Sequence, residues 1–128
     1  MTNSMIETEE DIQIIKEYTL LPILLDMLAR DIQELSLHQN KLIYNLVIFN
    51  LKKIENSIHL ELKMLRSKMR QYHIQVLHTT MNTLGVEVEY RVRGYIHHFR
   101  MLRSLVKAEL MILLTRLWEA PRDEERTR

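Results

Sequence analysis

The sequence predicts an all-α protein: an elongated three-helix bundle built on a long antiparallel helical hairpin, with a kinked N-terminal helix. Three observations carry that expectation. The 128-residue chain holds only two glycines and two prolines, too few for the many tight turns of a sheet protein. Apolar residues recur every three or four positions over most of its length, as the buried stripe of a helix requires. Its 46% hydrophobic and 27% charged residues place it among globular chains of single-domain size.

The first helix is expected to begin at Thr8, whose hydroxyl can cap free backbone N–H groups, with Glu9, Glu10 and Asp11 against the positive end of the helix dipole. Leu21, Leu25, Leu28, Ile32 and Leu35 then share one face. Pro22 lacks an N–H and crowds the carbonyl of Tyr18, which predicts a kink or break between residues 18 and 22.

Ser36 and Gln39 have the spacing of a capping box ahead of a second helix. Its stripe runs Ile54, Ile58, Leu62, Leu65, Met69, Tyr72 and Val76, close to a seven-residue repeat. Nothing in the sequence interrupts it from Gln39 to about Met81, a rod of roughly 60 Å. The segment LIYNLVIFNL at its start is apolar almost all round and needs cover on more than one side. The first helix is expected to supply it.

Asn82 to Gly85 marks a break. The VEVEYRVR that follows alternates as a strand does, but two arguments favour a helix. Glu87–Arg91 and Glu89–Arg93 are acid-first pairs four residues apart. Val88, Val92, Tyr95, Phe99, Leu102, Val106, Leu110, Leu113 and Leu117 also form one unbroken stripe. The favoured reading is a third helix from Val86 to Trp118, antiparallel to the second. The competing one is a short strand pairing across a homodimer. Residues 1–7 are then a flexible N-terminus, 8–119 a single helical domain and 120–128 a polar, disordered tail.

Net charge is only +1, yet charge is segregated along the chain. Residues 1–36 carry eight acids against Lys16 and Arg30, a net of −6, whereas residues 37–110 carry twelve Lys or Arg against five acids, a net of +7. At helical spacing His59, Lys63, Arg66, Arg70 and His73 line one ridge, and Arg93, His97, Arg100, Arg103 and Lys107 a second. KMLRSK (63–68) and RMLRSL (100–105) echo one another within these ridges. Their flanks do not match, so the echo reads as a shared packing demand rather than a duplication. Lys63, Arg66, Arg70, Arg93, Arg100, Arg103 and Lys107 form the candidate contact set, facing either an acidic protein surface or nucleic-acid phosphates.

The chain has no cysteine, no phosphate-binding glycine loop and no nucleophile or zinc-protease motif. Its six histidines lack chelating spacing on a helix. No catalysis, cofactor, metal or small-molecule substrate is therefore expected. The acidic N-terminus does not resemble an export signal, and the apolar runs are too short to span a membrane. These features suggest a cytoplasmic protein. The function expected is a non-catalytic regulatory or scaffolding module that binds protein through helix faces, as a homodimer or with a protein partner. The alternative is a small nucleic-acid-binding protein using the basic ridges.

Overall fold

The computed structural model describes residues 7–38 and 40–120. It is an α+β fold: α1 (Glu9–Ser36), α2 (Leu42–Gln71), β1 (Ile74–Asn82), β2 (Gly85–Val92), β3 (Tyr95–Leu102) and α3 (Arg103–Glu119). The all-α bundle, with its coiled-coil hairpin of a second and third helix, is thus incorrect. The residues expected to end the second helix and begin the third form an antiparallel meander in the order β1-β2-β3.

The expected helix start and cap at Thr8 are present. Thr8 accepts from the Asp11 N–H at 3.0 Å and the Asp11 carboxylate accepts from the Thr8 N–H at 2.9 Å, a reciprocal cap. From there α1 runs without a break through the exposed Pro22. The break foreseen there is absent. The Ser36–Gln39 cap fails on one member: Ser36 donates to the Ile32 carbonyl within α1, and Gln39 lies outside the described residues. The expected flexible N-terminus and polar tail, apart from Glu7 and Ala120, also fall outside them.

Helix α2 stops some ten residues earlier than the sequence suggested. The chain turns at His73, which takes a left-handed φ of 57° and closes the helix as a C-terminal residue of that conformation does. Two tight turns then shape the sheet. Asn82 Oδ1 accepts from the N–H groups of Leu84 and Gly85 at the first; at the second, Arg93 and Gly94 both have positive φ (48° and 94°), the backbone that closes a two-residue hairpin.

The sheet is one-sided. Val86, Val88, Tyr90 and Val92 of β2 are buried and pair with Met101, Phe99, His97 and Tyr95 of β3, while Glu87, Glu89 and Arg91 point to the outer face. VEVEYRVR is therefore the alternating central strand of a half-covered sheet. Glu87 does not pair with Arg91 along a helix; it accepts from Arg100 of the neighbouring strand, at 2.9 and 3.2 Å. The inner face packs on α1, α2 and α3 around one core that includes Ile15, Leu21, Leu24, Ile58, Tyr90 and Met101. Two ion pairs tie α3 across the hairpin: Glu109 to Lys16 at 3.2 Å, and Arg116 to Glu61 at 3.0 Å.

The echoed hexapeptides are not a repeat. KMLRSK lies within α2, whereas RMLRSL crosses from the end of β3 into α3. Leu65 is buried, but its counterpart Leu102 is 60% exposed.

The turns give a test whose sign separates sheet from helix. A Cβ on Gly85, whose φ is 149°, would fall 2.0 Å from the Met101 carbonyl oxygen, so Gly85→Ala should lower the thermal midpoint sharply. Gly94→Ala meets no neighbouring atom and should cost only backbone strain, about 1–3 kcal/mol. In the helix expected from Val86 to Trp118, Gly94→Ala would instead stabilise, by about 1 kcal/mol.

Candidate interaction surface

The structure divides the seven candidate cations into two groups. Lys63, Arg66 and Arg70 remain on the exposed side of α2, and no ion pair is made by them among the described residues. Arg66 lines an open groove with Tyr18, Pro22, Ile23, Asp26, Val76 and Met81, between α1, α2 and β1. The other four do not form a ridge, because no helix carries them together. Arg93 sits in the β2–β3 turn, Arg100 on the outer face of β3, and Arg103 and Lys107 at the start of α3.

Arg93 is a structural cation. Its guanidinium donates to the Tyr72 carbonyl at 2.9 Å and pairs with Asp11, joining the end of α2 and the start of α1 to the sheet. Burial alone would push the Asp11 carboxyl up. The hydrogen bonds from Arg93 and Thr8, with the Arg93 charge, outweigh it and hold the carboxyl below its ordinary value. Beside this pair His97 stacks on the Tyr90 ring, with 5.7 Å between centroids, and its Nδ1 approaches Glu7 at 3.5 Å. Among the described residues no three His, Asp or Glu side chains are grouped to hold a metal ion.

What the structure leaves open is apolar. Between Leu28 and Leu51 no described residue is buried, although this stretch includes the end of α1, the connecting loop and the start of α2. Ile32, Leu35 and Val47 are partly buried against the core, so the two helices touch along one line only. Leu37, Leu42, Ile43, Leu46 and Phe49 are 78%, 83%, 70%, 60% and 55% exposed. The expectation that α1 would cover LIYNLVIFNL is corrected: it covers one side. Covering these five side chains would be worth on the order of 5–10 kcal/mol.

The same exposure continues along α2. Leu60 and Met64 are 63% and 61% exposed, and with Leu42, Leu46 and Phe49 they form a second stripe, about 150° around the helix from the buried one at 3.6 residues per turn. The outer side of α3 is also apolar, through Leu105, Met111, Ile112 and Trp118. Sequence reasoning recognised that LIYNLVIFNL needed cover on more than one side but did not carry the stripe on to Leu60 and Met64. The recurrence of apolar residues at helical spacing on the far side of α2 was the available signal.

These features define a small α+β protein with an uncovered helical arm and, among the described residues, no helix long and apolar enough to cross a membrane. The chain belongs to the YhjD protein family, whose model matches residues 6–122. No curated protein and no solved structure matches it.

The Arg93–Asp11 pair sets a pH dependence. A carboxyl held below its ordinary value near 3.8 adds stability that is present above that pH and lost as pH falls through the folded-state value. Asp11→Asn should therefore be less stable than wild type by about 1–3 kcal/mol at neutral pH. In denaturant titrations the gap should narrow at acidic pH; a gap independent of pH would contradict the ion pair.

Proposed function

We propose that this chain is a non-catalytic regulatory or scaffolding protein of the cytoplasm that works by binding protein through helix faces, as an oligomer or within a larger complex. One observation carries this reading: between Leu28 and Leu51 none of the described residues is buried, and the apolar side chains there would be energetically idle in a chain that worked alone. Contiguous apolar surface of this kind marks interaction sites in soluble proteins. The zero-cysteine composition is compatible with a reducing compartment.

A second reading keeps some support from α2, whose Lys63, Arg66 and Arg70 are exposed and make no ion pair among the described residues. There they would contact nucleic-acid phosphates. Arg93 and Arg100 are engaged in internal pairs, which shortens the basic surface available. Binding to mixed-sequence DNA or RNA that weakens steeply between about 50 and 200 mM salt, and is lost in Arg66→Glu, would favour this reading.

The test of the first reading is the size of the full-length chain in extract of its own host. It should elute well above its 15.5 kDa mass, and Leu46→Glu, at a 60% exposed position, should bring it down. Elution of the wild-type chain at monomer mass in extract would overturn the reading.

A further inference from the structure

The outer stripe of α2 has a property that a general apolar surface lacks: its spacing reads nearly the same in both directions. Leu42, Leu46 and Phe49 lie on one side of Lys53, and Leu60 and Met64 on the other. Reversal of the helix about Lys53 carries Leu42 to Met64 and Leu46 to Leu60. Phe49 moves to Ser57, beside Asn56, where two small polar residues leave room for a ring. A twofold interface requires a patch that complements its own reversed copy, and a heterologous partner would impose no such symmetry.

The charges agree. Lys53 is the only charged residue of the stripe from Leu42 to Met64, and its ammonium already lies over the Phe49 ring, 4.5 Å from the centroid, so it packs within its own chain rather than against a second lysine. Twenty-three residues of helix from 42 to 64 give a contact line of about 33 Å.

We infer that a second copy of this chain occupies the outer face of α2, the two α2 helices packing antiparallel about a twofold axis near Lys53. Leu46 of each copy then meets Leu60 of the other. This inference rests on the interaction reading above and names its partner and geometry.

Sedimentation of the purified full-length chain at micromolar concentration tests it. Wild type should sediment at twice 15.5 kDa, whereas Leu46→Glu and Leu60→Lys should each sediment as monomers. Both positions are at least 60% exposed, so both variants should keep the wild-type circular dichroism spectrum. An equimolar mixture of the two should recover the dimer, because one contact becomes Glu against Lys and the other stays Leu against Leu. A wild-type monomer, a dimer indifferent to both substitutions, or a mixture that stays monomeric would overturn the proposal. A purified monomer that still runs in a large, Leu46-dependent complex in extract would overturn the twofold pairing alone and leave the interaction reading standing. Should either variant fail to fold, Leu46→Cys with Leu60→Cys decides. The chain has no other cysteine, and a short bis-maleimide should link the two positions between chains.

Discussion

A strand of nine residues such as β1 spans about 30 Å at 3.3 Å per residue, whereas the 30-residue α2 spans about 45 Å. The sheet is laid along the helical hairpin from the Asp11–Arg93 pair at one end to the neighbourhood of Ile23, Met81 and Val86 at the other. Among the described residues, neither the sheet nor α3 covers the helices beyond that point. The arm from Leu28 to Leu51 is the unmatched length, and its apolar side chains are the consequence. An element shorter than the surface it packs on leaves a remainder, and here the remainder is the part of the molecule most suited to a partner.

This constraint also separates the charged residues by role. Where the sheet covers the hairpin, charges are drawn into internal pairs: Asp11 with Arg93, Lys16 with Glu109, Glu61 with Arg116. These hold the sheet and α3 in register with the hairpin. On the arm the charges are sparse, and the ten residues from Leu42 to Leu51 contain none. The basic residues that sequence alone grouped together are dispersed over a turn, a strand and two helices.

The helical half of the fold was legible because caps and stripes are local. Thr8 with Asp11, and the buried stripe Ile54, Ile58, Leu62, Leu65 and Met69, appear where the sequence puts them. The sheet was not, for a specific reason. Residues four apart share a face in a helix and also in a strand, so the steps from Val88 to Val92 and from Tyr95 to Phe99 fit either. Only steps of three discriminate: Val92 to Tyr95 crosses the Arg93–Gly94 turn, and Phe99 to Leu102 lies within β3, where it carries Leu102 to the opposite, exposed side. VEVEYRVR needs no strand from a second copy, because IQVLHTTMN and YIHHFRML of the same chain are its neighbours. The turn at Arg93–Gly94 was the signal overlooked. The uncovered side of LIYNLVIFNL was legible from composition; that α1 would leave it uncovered depends on the length of the sheet.

Amide hydrogen exchange on the full-length chain, compared between dilute and concentrated solution, reaches the central claim most directly. The account requires β2 amides from Val86 to Val92 to be strongly protected at every concentration, and those of Leu42 to Leu51 to gain protection as concentration rises. Weak protection of β2 would contradict the sheet on which the length mismatch depends, and protection of the arm that does not change with concentration would contradict its pairing with a second copy.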